Sequence, residues 1–492
     1  MAQKYVPGQM IIGFKDSALA PLPNPFPASL HGTPRPLIRR ALLLLANVRV
    51  QYGATDMAPL MHADRRVVGP SDLPVPGGPL GPALSDFVAA AAGMPEPEMG
   101  FTVHHRVAEE SRKYIQVTLP ESNVRAALEY VRKFPSMVEF AERVPARYFM
   151  PFASDKAVPV GEHRPDLPTP LSTRWSYTAM QLSDETQQTW VDKPVTSVAV
   201  LDSGYDANHP SLQGAVFPGT TDSGTDPWGH GTAVASIIAS RKVDVGNYKL
   251  GGGLLPDGKV LMYKVAEEGT PVAGITFPVS FGRYMTVVAD LTQRLIANAP
   301  ANPVGNAHRF PIRVVNMSFG GPACSMTETA VLRQAYEAGL HLVACAGNRD
   351  GGADDSVKAW FPAALSSVTS VAAWGTDQKR WTKSKYAHPF RSGKVAVDLA
   401  APGVSIDGAW PLQGANLIQK AALRKFQVSM WLDGTSFAAP FVSAAAALLF
   451  EKEKMSSPKA KDIHQLLCGT YTRAVSETGM GSGVLYLEKL TL

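Results

Sequence analysis

Cysteine is scarce: Cys324, Cys345 and Cys468 are the only three in 492 residues. An odd, small number fits reduced thiols better than a disulfide framework, and it points to a cytoplasmic setting. The opening MAQKYVPGQMIIGFKD has no basic stretch leading into an apolar one, so no signal peptide is expected. No uninterrupted apolar run reaches the roughly 18 residues of a membrane span, and the LLLL at 43–46 is far too short for one. No membrane partner is expected. Charged residues make up 18% with a net charge of only +5, and Lys and Arg are scattered, so no nucleic-acid partner is implied. No internal repeat is visible, which argues against a solenoid. What remains is an ordinary globular balance, 45% hydrophobic, long enough for two or three domains and a large core.

The chain changes character near residue 150. Residues 10–15 read as a strand. The stretch 17–36 then holds six prolines and 70–82 holds five, a density that breaks regular structure. Between them, LIRRALLLLANVRV at 37–50 reads as a helix. Strands are expected at 101–107 and 114–120. In 122–134 the residues Val124, Ala127, Leu128, Val131 and Phe134 fall on one helical face, and a closing strand follows at 137–149. This order predicts a small α+β unit, ferredoxin-like, over residues 1–150, with a loop-rich, proline-rich insertion at about 17–100. Residues 151–170 are a linker by composition.

From 171 to 492 short apolar runs recur at 197–202, 260–265, 313–318, 341–347, 368–373 and 395–403, mostly separated by helical stretches. One of these, 325–339, opens with a Ser-x-x-Glu capping box and ends at Gly339. The alternation predicts an α/β fold with a mainly parallel, doubly wound sheet covered by helices on both faces. In such a sheet function gathers at the carboxyl ends of the strands.

Those ends carry a recognisable chemical inventory. VAVLDSG brings Asp202, GHGTAVASI brings His230, HLVACAGN brings Asn348, and DGTSFAAPFVSAAAALLF at 433–450 brings Ser436. A serine before a helix is usually an N-cap. Here it stands with a base, an orienting acid and an amide donor, which is the set required for acyl transfer. Ser436 would attack a carbonyl, His230 would take and return the proton, and Asp202 would hold the imidazole. The Ser436 N–H and the Asn348 amide would stabilise the oxyanion. Gly229 and Gly231 would leave room for substrate and neighbouring backbone beside the imidazole, and Gly434 would supply unusual backbone angles. The serine would serve as helix start and nucleophile together. His230 must be neutral to act as base, so activity should fall in acid.

The blocks VAVLDSGYDANHPSL, GHGTAVASI and GTSFAAPFVSAAAALL, in the order Asp, His, Ser, resemble the three signatures of the subtilisin-like serine proteases. The resemblance extends from about residue 170 to 492. It implies a serine endopeptidase acting on protein or peptide substrates, with no cofactor. VVNMSFGGP is similar to the family's substrate-binding strand and loop, which assigns Ser318, Phe319 and Gly320 to substrate. HLVACAGN is similar to the oxyanion segment, with Ala346 and Gly347 beside Asn348. AWFPA at 359–363 aligns with the base of the first specificity pocket, with Trp360 where many relatives have glycine. That implies a shallow pocket for a small residue, unless Trp360 turns into the core.

YVPGQMIIGFK and NVRAALEYVRKFPSMVEFAERV resemble the family's inhibitory propeptide. The N-terminal domain would then be an intramolecular inhibitor and folding aid of a zymogen, its end near 148–152 lying in the cleft and cut there. A latent cytosolic protease is the alternative, with the domain retained until a partner at the proline-rich insertion, or a signal, releases it. Ser211 stands where many members use an aspartate for calcium, and Arg241, Lys242 and Lys249 follow nearby, so no metal site is expected. Cys345 reads as a small buried strand residue rather than a redox brake.

Overall fold

The chain folds as two units: a small sheet with its own core, and a larger one whose strands are buried on both faces. The computed structural model describes residues 4–15, 44–45, 47–48, 51–59, 114–149 and 158–159. It also describes 175–492, apart from 194, 246–247, 251, 268–276, 302–303, 305–309, 350–355, 391, 412–428 and 454–458.

The N-terminal unit is an antiparallel sheet of β1 (Tyr5–Phe14), β2 (Asp56–Pro59), β3 (Tyr114–Thr118) and β4 (Val138–Pro145), in the order β2-β3-β1-β4, with helix α1 (Glu121–Val131). Successive side chains of a strand face opposite sides. Met10, Ile12 and Phe14 therefore point into the unit's own core, where α1 adds Val124, Ala127, Leu128 and Val131. Ile11, Tyr114 and Val144 face the other way and join the core of the larger unit.

Leu44, Leu45 and Val48 are helical and buried in the N-terminal core, within the helix expected at 37–50. Two expectations change here. Residues 56–59, inside the stretch read as loop-rich, form β2 at an edge of the sheet. The expected closing strand at 137–149 is two strands. It breaks at Ala146, where β5 (Arg147–Phe149) leaves the small sheet for the larger unit. The strand expected at 101–107 lies outside the described residues, as does most of the 151–170 stretch. Within the latter, Val158–Pro159 pairs with residues 430–431.

The larger unit is built in chain order from β6 (Ser197–Asp202), β7 (Val216–Pro218), α2 (His230–Ala239), β8 (Val260–Lys264), β9 (Phe277–Val279), α3 (Phe281–Ile296), β10 (Ile312–Met317), β11 (Phe319–Gly320) and α4 (Met326–Ala338). Then come β12 (His341–Cys345), β13 (Thr369–Trp374), β14 (Leu399–Pro402), α5 (Thr435–Lys452), β15 (Thr472–Arg473) and β16 (Val484–Leu485). Among the described residues nine strands form one sheet in the order β15-β16-β14-β13-β12-β10-β6-β8-β7, parallel except for the β15/β16 pair. Val198 and Val200 of β6 face the layer of α2 and α5; Ala199 and Leu201 face the layer of α3 and α4. Both faces are therefore covered, which is why the strands are near-continuous apolar runs. Helix α5 is buried from Thr435 to Phe450. Its alanines at 444–447 let neighbouring elements approach closely on all sides. Among the described residues no helix is long and apolar enough to cross a membrane.

Candidate active site

Asp202 ends the central strand β6 at the carboxyl edge of the sheet and is fully buried. Its Oδ1 lies 2.8 Å from His230 Nδ1 and also accepts from the Ser203 N–H at 2.7 Å. A carboxylate accepting at Nδ1 fixes the tautomer with its proton there and leaves Nε2 as the base. His230 opens α2, and among the described residues its Nε2, like Asp202 Oδ2, has no hydrogen-bond partner. The His230 ring lies between two aromatics, Phe149 at 5.5 Å and Phe437 at 5.7 Å between centroids.

The approach to His230 is organised by a residue the sequence did not flag. Asp226 is buried, and its two oxygens accept from Ser203 Oγ, the Trp228, Gly229 and Thr232 N–H groups, and Thr232 Oγ1, at 2.7–3.2 Å. Burial pushes its carboxyl up, and those donors oppose the shift. Asp226 thus ties the turn before the histidine to the strand end that carries Asp202. The DPWGHGT spacing held the signal, an acid four residues before the histidine that can satisfy the free N–H groups of a helix start. Gly231 serves neighbouring backbone: a Cβ there would sit 2.1 Å from the Gly204 carbonyl oxygen.

Ser436 occupies the first turn of α5, one residue past Thr435, but it does not cap. The cap is Gly434, whose near-extended backbone (φ 161°) needs no glycine freedom. Asn348 does the capping instead. Its Oδ1 accepts from the Thr435 N–H at 3.1 Å and from Thr435 Oγ1 at 2.7 Å. That fixes the carbonyl end of the amide on the helix start and turns the NH₂ end to the opposite side. Pro440 has no N–H for the Ser436 carbonyl four residues earlier. Ser318 Oγ donates to that carbonyl instead, at 2.8 Å. In return Ser436 Oγ donates to the Ser318 carbonyl at 3.2 Å, and it lies 3.9 Å from Cys345 Sγ. The serine hydroxyl is therefore hydrogen-bonded to the substrate strand and not to His230 Nε2. Cys345 is fully buried, and burial pushes its thiol up to about 12, so it stays protonated and unreactive.

The groove in front of these groups is filled by β5, which pairs antiparallel with β9 on one side and β11 on the other. Phe149 stands opposite Phe319 and Tyr148 opposite Gly320, so two of the three expected substrate residues already hold an extended chain. Gly321 lets that chain in: a Cβ there would lie 2.1 Å from the Ala146 carbonyl oxygen. Ala346 and Gly347 follow β12, and the Ala346 carbonyl accepts from the Trp360 N–H at 3.0 Å. The Trp360 side chain is buried in the same core as Phe437, packed on the open face of Gly347 and under Lys385. Ser211, where calcium was not expected, is buried with its Oγ 2.8 Å from His209 Nδ1. Among the described residues no cluster of three His, Cys, Asp or Glu could hold a metal ion.

A parallel doubly wound sheet thus carries a buried Asp–His pair, a helix-start serine and a side-chain amide beside it, the residue types that acyl transfer uses. The sequence profile of the subtilase family matches residues 194–483, and the chain belongs to that family of subtilisin-like serine endopeptidases. It is similar to the major intracellular serine protease of Bacillus subtilis (strain 168), 27% identical over 305 residues that make up 59% of this chain and 80% of the relative. It is also similar to subtilisin amylosacchariticus from Bacillus subtilis subsp. amylosacchariticus, 30% identical over 261 residues, 52% of this chain and 55% of that one. The chain thus spans only about half the length of the second relative. Among solved structures, fervidolysin from Fervidobacterium pennivorans, a keratinolytic enzyme related to subtilisin, shares the fold. The TM-score is 0.59 at 18% identity, covering 100% of this chain and 62% of that one.

Proposed function

We propose that the protein is an endopeptidase that cleaves protein or peptide substrates by acyl transfer at Ser436. His230 Nε2 accepts the serine proton and returns it to the leaving amine. Asp202 holds the imidazole and stabilises its charged form. The Ser436 N–H and the Asn348 amide stabilise the oxyanion. Substrate lies extended along Ser318, Phe319 and Gly320, with its first pocket beside Ala346 and Gly347; Trp360 packs in the core instead, so a shallow pocket floored by that side chain is not proposed. No cofactor takes part. The observation that carries this proposal is the 2.8 Å Asp202–His230 contact with an unpartnered Nε2, in front of a groove that already holds an extended strand.

Residues 1–150 act as the intramolecular inhibitor of a zymogen, residues 151–170 as the linker and residues 171–492 as the catalytic domain. The fit of β5 in the groove supports this. A second mode, latency with the N-terminal domain retained until a partner at the proline-rich insertion releases it, is favoured by how firmly that domain is held. Glu142 accepts from Ser325 Oγ, Thr327 Oγ1 and the N–H groups of Met326 and Thr327 at the start of α4, at 2.8–3.2 Å.

The deciding experiment is intact mass spectrometry of wild type beside Ser436→Ala, with a fluorophosphonate probe on both. A wild type that splits near residue 150 and takes the probe, beside a variant that does neither, supports the zymogen. A wild type that stays whole yet takes the probe slowly supports latency. A wild type that takes no probe, even after limited proteolysis of the N-terminal domain, sinks the acyl-transfer proposal.

A further inference from the structure

Strand β5 carries a charged side chain into the interior. Arg147 is 1% exposed, and its Nε and Nη2 donate to Glu328 Oε1 and Oε2 at 2.9 and 2.6 Å, fork against fork. Nη2 also donates to the Ala323 carbonyl at 2.8 Å, and Nη1 to the Ala146 carbonyl at 2.9 Å. The ring of Phe281 lies 6.0 Å from the guanidinium carbon. Tyr284 is fully buried nearby, and burial holds its hydroxyl well above the usual phenol range, so it adds no charge. Among the described residues, the side chain that meets the Arg147 guanidinium with a formal charge is the Glu328 carboxylate, which is also fully buried.

The two partners belong to different units. Glu328 sits in the first turn of α4, where the Ser-x-x-Glu pattern predicted a reciprocal capping box. Only half of that box forms: Ser325 Oγ accepts from the Glu328 N–H at 3.1 Å, while the Glu328 carboxylate goes to Arg147. A chain that merely needed a capped helix would leave this glutamate at the surface. When β5 is absent, Glu328 loses the fork-against-fork partner that neutralises it, and another cation entering the groove in the same place would restore that pairing.

The pairing register says where such a cation lies on a substrate. Phe149 faces Phe319 and Tyr148 faces Gly320, so the next antiparallel step falls on Ser318. The carbonyl of Ser318 is 3.2 Å from Ser436 Oγ. A peptide lying in this groove in the same register presents the residue after the Phe149 position to the nucleophile. The Arg147 position is then three residues upstream of the residue whose carbonyl is attacked.

We propose that Glu328 is a specificity-determining residue: the groove selects extended peptides carrying arginine three residues before the one that supplies the scissile carbonyl. Arg147 of the N-terminal unit fills the same subsite before release. Arginine is preferred over lysine because a planar fork spans both carboxylate oxygens and still reaches the Ala323 carbonyl, whereas an ammonium is a single point charge. The inference rests on the proposed acyl-transfer function.

The test uses the full-length chain and quenched-fluorescence peptides identical except for Arg, Lys or Gln at that position. Wild type is compared with Glu328→Gln, Arg147→Gln and the double variant, with thermal melting as the folding control. A fluorophosphonate probe reports Ser436 separately. In wild type the Arg peptide should exceed the Gln peptide about a hundredfold in kcat/KM, and the Lys peptide should fall between them. Glu328→Gln, alone or with Arg147→Gln, should bring Arg and Gln peptides within about threefold of each other. Equal cleavage of Arg and Gln peptides by a wild type that takes the probe overturns the subsite and leaves the acyl-transfer proposal standing. So does an arginine preference that survives Glu328→Gln. Absence of both probe uptake and cleavage in every variant, including Arg147→Gln, whose β5 is held less tightly, overturns both proposals together.

Discussion

Two buried pairs of polar side chains, Arg147–Glu328 and Asp202–His230, are finished differently. Arg147–Glu328 joins the two units, and the arginine also reaches two backbone carbonyls. Asp202–His230 lies within one unit, equally buried, yet it keeps a nitrogen and an oxygen without partners. A buried polar group left unpaired costs stability. Under the proposed function the contrast has a reason: a pair that recognises a chain is saturated so that it holds, while a pair that moves a proton is left open.

The sharpest way to break the contrast is Asp202→Asn. The amide keeps the shape but donates toward Nδ1, which favours the wrong imidazole tautomer. Turnover should drop by ~10⁴, a scale taken from the corresponding change in other serine proteases. Peptide hydrolysis within tenfold of wild type would remove Asp202 from its assigned role. Next, Arg147→Ala leaves Glu328 buried and uncompensated, so the full-length chain should lose about 3–5 kcal/mol in urea unfolding. Arg147→Met with Glu328→Leu should recover most of it. A single variant as stable as wild type would mean that the pair is not desolvated in solution. Asn348→Ala should slow turnover by ~10²–10³, the value known for subtilisin itself, while KM changes little. Unchanged kcat would take Asn348 out of the oxyanion site.

The mildest test uses a third buried imidazole as a control. His341 Nδ1 lies 3.3 Å from the Ala460 carbonyl and Nε2 3.3 Å from Thr369 Oγ1, neutral partners throughout. Burial, with help from His464, lowers its pKa to about 3. The unfolded chain, with an ordinary value of ~6.5, then binds a proton that the folded chain does not, between those two limits. Stability is full above that window and falls as pH drops through it, by up to about 1.4 kcal/mol per pH unit. His341→Asn should flatten this part of the urea-midpoint profile against pH. An unchanged acid slope would show that His341 protonates without unfolding.

Much of the larger unit was legible in the chain because its signals are local. The runs at 197–202, 260–265 and 341–347 became β6, β8 and β12 nearly residue for residue, since a strand covered on both faces must be apolar throughout. The four residues Asp202, His230, Asn348 and Ser436 stood out because small residues and glycines surround each. Other features were hidden by local grammar that had two uses. Glu328 reads as half of a capping box until Arg147 arrives from 181 residues away. Ser436 reads as a cap until Asn348 fills that role. The strand at 137–149 reads as continuous until Ala146 turns it out of one sheet into another.

The sequence alone determined the order of elements, the parallel sheet and which side chains could perform acyl transfer, because burial periodicity and turn chemistry act over a few residues. Tertiary structure alone decided which hydroxyl faces which carbonyl, which strand fills the groove and which acid meets the arginine. Those depend on pairing register and on desolvation by residues distant in the chain, and neither leaves a pattern within a short window.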